Sequence, residues 1–177
     1  MVTMFDDLNP VPAAQRPDLL APSTLAALRY VPEAKVIAID PAISDTAAFS
    51  AHYDLPATVM GNAVLVMGKR QGELRQCCCM CLANRRVDVN GFVKHTLDVR
   101  SASFAPMDLA VESSGMEYGG ITPVGLPPEW PVWLDETVRD VEWMVIGSGV
   151  RQSKLILPGK ALLNLPGARL MSGLTNE

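Results

Sequence analysis

The sequence predicts an α+β fold, and three observations carry that reading. Apolar residues make up 49% of the 177 and charged residues 19%, the composition of a packed domain long enough for one sizeable core. Short apolar runs of strand character lie between stretches that open on helix-capping residues. These strands and helices interleave without the strict alternation that builds a doubly wound parallel sheet.

Residues 1–20, rich in Pro, Asp and Ala, read as an N-terminal arm, with the domain itself at 21–177. Ser23 is expected to cap a short helix running to Tyr30, with Leu20, Leu25 and Leu28 on its inner side. Lys35 to Ile39 is a strand. Asp45 is the natural N-cap of a helix from Thr46 to Tyr53, with Pro56 beyond its end. Ala63 to Met67 is a buried strand, and Lys69-Arg70-Gln71-Gly72-Glu73 turns it back as a hairpin into a strand from Leu74 to Leu82. Asp88 caps a helix from Val89 to about Leu97, and Pro106 opens another that Gly115 ends. Strands follow at 131–135, 142–146 and 154–157, then a short helix from Lys160 to Asn164 and a last strand around Arg169 to Met171.

Net charge is −4, so bulk charge attracts no polyanion, and a nucleic-acid partner needs a local basic patch. No apolar run approaches a membrane span, and the acidic start, Met1 to Asp7, is unlike a secretory leader. The expected location is cytoplasmic, without membrane contact. Cys77, Cys78, Cys79 and Cys81 are too crowded for a disulfide framework. Cys78 and Cys81 make a lone C-x-x-C, but strand alternation puts Cys77, Cys79 and Cys81 on one face and Cys78 with Met80 on the other, as small buried hydrophobes. No metal and no cofactor is expected. His52 and His95 fall in helical segments as surface or packing residues, although His52 follows Phe49 by three and is a candidate for the same face. Trp133 and Trp143 read as core, while Trp130, between Pro128 and Pro131, reads as exposed.

The most informative stretch is Tyr118-Gly119-Gly120-Ile121-Thr122-Pro123-Val124-Gly125. Glycine permits positive φ and close backbone approach, and proline fixes φ and removes a donor. Such a loop is either a tight structural turn or a rim that aims main-chain groups at a ligand. Val132-Trp133-Leu134-Asp135 follows, and then Ile146-Gly147-Ser148-Gly149-Val150-Arg151 with an apolar strand behind it. Upstream lie the hairpin and Arg85-Arg86-Val87-Asp88-Val89.

In this order and spacing, over roughly residues 22–172, the chain resembles the YbaK/prolyl-tRNA-synthetase-associated domain family of aminoacyl-tRNA deacylases. The resemblance implies a closed or nearly closed mixed β-barrel surrounded by helices. It implies hydrolysis, in trans, of the ester joining a wrongly attached amino acid to tRNA. The partners implied are the tRNA acceptor end and an aminoacyl-tRNA synthetase. The family's Gly-x-x-x-Pro loop maps onto Gly119 and Pro123, which makes Gly119, Gly120, Ile121, Thr122, Pro123 and Gly125 candidates for holding the terminal adenosine and ester. Gly147, Ser148 and Gly149 form the opposite wall. Main-chain amides of Gly119 and Gly120 suit oxyanion stabilisation, a task that needs no titratable side chain.

One position departs from the family. Where its pattern carries a lysine before the hairpin strand, this chain has Asn62, which hydrogen-bonds but neutralises no phosphate. Either activity is reduced, leaving a weak or inactive homologue that binds an aminoacyl-adenosine-like ligand or RNA, or another cation substitutes. Lys154 is the chosen substitute, with Lys69 and Arg70 as weaker alternatives. Arg151 is open to pairing with Asp135 or with a tRNA phosphate. Arg85, Arg86, Lys94 and Arg100 are candidates for a basic rim.

Overall fold

The computed structural model describes residues 3–177. Its longest elements form a hairpin, β3 (Gly61–Arg70) and β4 (Glu73–Leu82), paired without interruption from Gly61 opposite Leu82 to Arg70 opposite Glu73. The turn places Gln71 at φ 51° and Gly72 at φ 81°. Positive φ at both central residues is the geometry whose twist matches paired strands, and glycine supplies one of them without steric cost.

Around this hairpin runs a five-stranded sheet in the order β10-β7-β4-β3-β6, built with β6 (Ala102–Phe104), β7 (Val132–Asp135) and β10 (Arg169–Met171). β7 is parallel to both β4 and β10, and the remaining pairs are antiparallel. An antiparallel four-stranded sheet has the order β1-β2-β9-β8, from β1 (Val11–Pro12), β2 (Lys35–Ala38), β8 (Met144–Gly147) and β9 (Ser153–Leu157). A two-stranded pair, β5 (Arg86–Val87) with β11 (Thr175–Asn176), completes the strands among the described residues. With five α-helical segments, α1 (Pro22–Ala27), α2 (Thr46–His52), α3 (Lys94–Leu97), α4 (Met107–Ser114) and α5 (Glu136–Arg139), the fold is α+β.

The two larger sheets approach each other beside Met60, which makes a parallel bridge to Val145. Their shared core holds Met80, Leu134, Met144, Ile146, Leu155 and Leu157, all essentially without solvent contact. Each such side chain contributes about 1.5–3 kcal/mol through removal from water. Alternation along β4 sorts the cysteines as expected. Cys77 and Cys79 pack with Val66 and Trp133, while Cys78 faces Leu65 and Trp130. Burial pushes the Cys78 thiol far above its ordinary pKa and the Cys81 thiol up to about 12.

The helix caps divide the expectations. Asp45 accepts from the amides of Ala47 and Ala48 and opens α2; Asp88 accepts from Gly91 and Phe92. Gly115, at φ 71°, ends α4. Ser23 is not the cap of α1. The helix starts two residues earlier than such a cap implies, with Pro22 at its first position and Ala21 before it, and the Ser23 hydroxyl is buried without a partner. Proline at a first turn loses no hydrogen bond, so it sets the start by itself. Leu25 is exposed, whereas Leu20 and Leu28 are core. Trp130 is likewise core rather than surface: it is 2% exposed, and its indole N–H donates to Ser113 Oγ at 3.2 Å. His52 lies exposed while Phe49 is buried, so the two do not share a face. Residues before α1 pack on the domain, with Phe5 buried among Ile37, Ile39 and Phe49 and Val11 paired with Val36.

Candidate active site

A cavity of about 290 Å³ opens where four parts of the chain meet. The start of α2 supplies Ser44, Asp45 and Thr46; the start of β3 supplies Gly61, Asn62, Ala63 and Val64. The glycine-proline loop supplies Tyr118, Gly119 and Ile121, and the β8–β9 pair supplies Gly147 and Lys154. The two glycine segments picked out in the sequence therefore share one hollow, and Lys154 is in it.

Lys154 sits in β9 opposite Gly147. Its residue is 4% exposed, and its ammonium donates to the Ser44 carbonyl oxygen at 2.5 Å while lying 5.9 Å from the centre of the Phe49 ring. Burial disfavours the charged amine and pulls its pKa down to about 8, with the Asp45 carboxylate acting in the opposite direction. Across the cavity, Asn62 Oδ1 accepts from Thr46 Oγ1 at 2.6 Å. The position where the family resemblance places a lysine thus shares its cavity with a cation delivered from another strand.

The glycines have a tighter purpose than the sequence indicates. Glu117 N–H donates to Gly149 O at 2.9 Å, Gly149 N–H to Gly120 O at 2.7 Å, and Gly120 N–H to Glu117 O at 2.9 Å. A Cβ on Gly120 would stand 2.5 Å from the Val150 carbonyl oxygen, and one on Gly147 would stand 2.6 Å from the Ile121 oxygen. Backbone meets backbone here, which only glycine permits. The Gly120 and Gly149 amides are consequently engaged with neighbouring carbonyls rather than bare toward a ligand. Gly119, at φ 92°, lines the cavity itself.

Several expected residues stand behind the wall. Thr122 is buried, its amide donating to Met116 Sδ and its hydroxyl accepting from Val124 N–H. Pro123 and Gly125 line a separate apolar hollow of about 180 Å³ with Tyr30 and Trp130. Ser148 is buried, its hydroxyl donating to Val150 O and Ser153 O. Gly149 packs on Ala21 and Thr24 of the α1 region. Arg151 does not pair with Asp135. Its Nε donates to Ser44 Oγ at 3.1 Å, a terminal nitrogen donates to Pro41 O at 3.1 Å, and its own amide donates to Glu117 Oε1 at 2.8 Å. Asp135 instead caps α5 through Thr137 and lies 3.8 Å from Arg85, which also donates to Thr175.

Ser44, Thr46, Gly61 and Tyr118 line the cavity without having been singled out from sequence as ligand contacts. Asp45 was legible only as a cap, and that role fixes where its neighbours point. Among the described residues no cluster of three His, Cys, Asp or Glu side chains is arranged to hold a metal ion. No helix among them is long and apolar enough to cross a membrane.

Comparison with known proteins agrees with this architecture. No curated protein matches the chain. Solved structures do. A candidate trans-editing enzyme for prolyl tRNA synthetase is 18% identical, with 89% of this chain and 99% of that one aligned at a TM-score of 0.72. A protein described only as hypothetical is 15% identical, with 87% and 99% covered at a TM-score of 0.75. A scaffold protein from computational epitope grafting is 18% identical, with 89% and 97% covered at a TM-score of 0.72. At such identities these likenesses establish the fold. A family model, the aminoacyl-tRNA editing domain, matches residues 40–165, a span that contains the whole cavity wall. The chain belongs to the aminoacyl-tRNA editing domain family.

Proposed function

We propose that this protein hydrolyses, in trans, the ester that joins a wrongly attached small or medium amino acid to the 3′ end of tRNA. The observation that carries the reading is the buried Lys154 ammonium on the cavity wall, across from Asn62. An ammonium has three donors. One holds the Ser44 carbonyl, which leaves two for the ester carbonyl or the terminal nucleotide. A positive charge buried in the cavity wall stabilises the oxyanion that forms when water adds to the ester carbon. The bond between the acyl carbon and the ribose oxygen then breaks, and the proton shed by the attacking water ends on that oxygen, leaving a free amino acid and a tRNA 3′-terminal hydroxyl. Gly119 contributes main-chain contact at the rim. Gly120, Gly147 and Gly149 act by letting the two walls close on each other, with Arg151 tying the 41–44 segment to the glycine loop. Ile121 and Asn62 shape the floor and the facing wall.

The same reading takes the two larger sheets as a nearly closed barrel, supported by the Met60–Val145 bridge between them. It takes residues 1–20 as an arm laid on a domain at 21–177, the location as cytoplasmic, and an aminoacyl-tRNA synthetase as a working partner. The decisive experiment is deacylation of a panel of mischarged tRNAs. A rate above the spontaneous one for at least one of them is expected, and no such rate for any of them removes the enzyme reading.

A further inference from the structure

The candidate cavity does not end at Tyr118 and Ile121. A second hollow of about 270 Å³ continues from it, sharing Ala63, Val64, Tyr118 and Ile121 as a common wall and adding Phe104 on the far side. Phe104 ends the edge strand β6 and is 66% exposed; Tyr118 is 54% exposed. Leu65, Ala105 and Ala110 complete the hollow's lining, so the two exposed aromatics border one apolar hollow rather than standing as scattered surface hydrophobes. Two exposed aromatic residues at the mouth of a site are costly to keep in water unless something covers them.

The surroundings select among occupants. β6 runs back from Phe104 to Ala102, which pairs with Gly68; Lys69 follows Gly68, and Arg100 lies two residues before Ala102. Arg100 donates its amide to Lys69 O, so Lys69 and Arg100 adjoin at this end of the sheet edge, and both are exposed. Arg70 beside them is occupied by Asp98. From Phe104 to Arg100 is four residues, roughly 13 Å at about 3.3 Å per residue. Reading outward, the order is reactive cavity, aromatic pair, then cations. A hydrophobic peptide or a second copy of the chain has no use for that order. A single-stranded polynucleotide has: its terminal unit enters the cavity, a preceding base stacks on an aromatic face, and the next phosphates meet the lysine and arginine.

We infer that Phe104 and Tyr118 form a stacking platform for a base of the single-stranded RNA 3′ end, with Lys69 and Arg100 receiving the backbone beyond it. The platform rests on the deacylase reading for the identity of the strand, but it is a binding claim and is measurable without turnover. Phe104 is an exposed edge residue, so Phe104→Ser leaves the core untouched, and Phe104→Trp keeps a stacking face.

The test is the affinity of the full chain for a hairpin RNA ending in single-stranded CCA, by fluorescence anisotropy, beside deacylation of mischarged tRNA and of the corresponding aminoacyl-adenosine. Phe104→Ser is expected to weaken RNA binding roughly tenfold, the loss of one base–aromatic stack. Phe104→Trp is expected to restore it, and the double change Lys69→Gln with Arg100→Gln to flatten its salt dependence. KM for tRNA rises in Phe104→Ser while hydrolysis of aminoacyl-adenosine is unchanged. Unaltered RNA affinity in Phe104→Ser overturns the platform even if deacylation is robust. So does an effect confined to aminoacyl-adenosine, which would make Phe104 part of the amino-acid pocket. A wild-type dimer that dissociates in Phe104→Ser overturns it as well. RNA binding that depends on Phe104 in a protein with no deacylation supports the platform and removes the enzyme reading alone.

Discussion

The Lys154 ammonium donates to the Ser44 carbonyl oxygen at 2.5 Å, and this bond ties β9 to the segment that opens α2. Ser44 is held a second time, through its hydroxyl, by Arg151. One residue thus fixes both the buried cation and the strap beside it, and the cavity depends on the pair.

Replacing Lys154 separates catalysis from stability. Lys154→Met removes a desolvated charge while keeping the stem's volume, so the fold is expected to be as stable as wild type or more so at pH 7. Deacylation is expected to fall about 100- to 1,000-fold, the scale of one lost oxyanion donor. Initial rates and denaturant midpoints on the same preparations check both halves; an undiminished rate removes Lys154 from the mechanism.

The lysine also predicts a pH signature. Its folded pKa, about 8, lies below the ordinary lysine value of 10.5. Below pH 8 both folded and unfolded chains carry the proton, and the full burial penalty is present. Between about pH 8 and 10.5 the unfolded chain holds the proton more tightly, so stability rises with pH across that window. The gain is about 3 kcal/mol relative to Lys154→Met, measured by urea unfolding at pH 7 and above pH 10. Deacylation above the spontaneous rate is expected to decline as pH rises through about 8, because the neutral amine no longer stabilises an oxyanion.

Gly120→Ala tests the backbone contact. Its new methyl would meet the Val150 main chain, which cannot rotate away. Overpacking of this kind costs about 1–3 kcal/mol. A lowered denaturant midpoint with an unchanged slope is expected; wild-type stability would mean that the two segments part more easily than their hydrogen bonds indicate.

Asp45→Ala removes both a cap and the carboxylate that supports the lysine's charge. The loss of the cap costs about 1 kcal/mol. The decline in activity with rising pH is expected to move to lower pH, since the opposite charge is gone. Asp45→Asn keeps much of the cap and isolates the electrostatic part, so the two variants measured together give the shift without the unfolding.

The buried cysteines should be silent. With Cys77, Cys78 and Cys79 fully enclosed and the Cys78 and Cys81 thiols pushed up in pKa, native protein is expected to react with an aromatic disulfide reagent only as fast as it unfolds. Rapid modification of any of them in the folded state would contradict the packing of β4.

Much of this architecture was legible because it rests on local chemistry. Asp45, Asp88 and Gly115 announce their helix ends, and Gln71-Gly72 announces the hairpin. Lys154 stands at the start of an apolar run five residues past Gly149, and that local pattern is visible in the sequence. What stayed hidden depends on distant parts of the chain. Trp130 looks exposed between prolines until Ser113 supplies a partner for its indole. β1, β5, β6 and β11 are two or three residues long, too short to show a period, and exist because a neighbouring edge needs pairing. The bonds between Glu117, Gly120 and Gly149 cannot be inferred from either segment alone, so their amides look available in sequence and are engaged in the fold.

That interlock has an implication for how selectivity can change. Positions 120 and 147 accept no side chain, and 149 is pressed against α1, so these three positions offer substitution nothing to work on. On the proposed function, discrimination between amino acids falls to side chains that line the cavity, chiefly Thr46, Asn62, Val64 and Ile121. An engineer who wants a new specificity should diversify those four and leave the glycines alone.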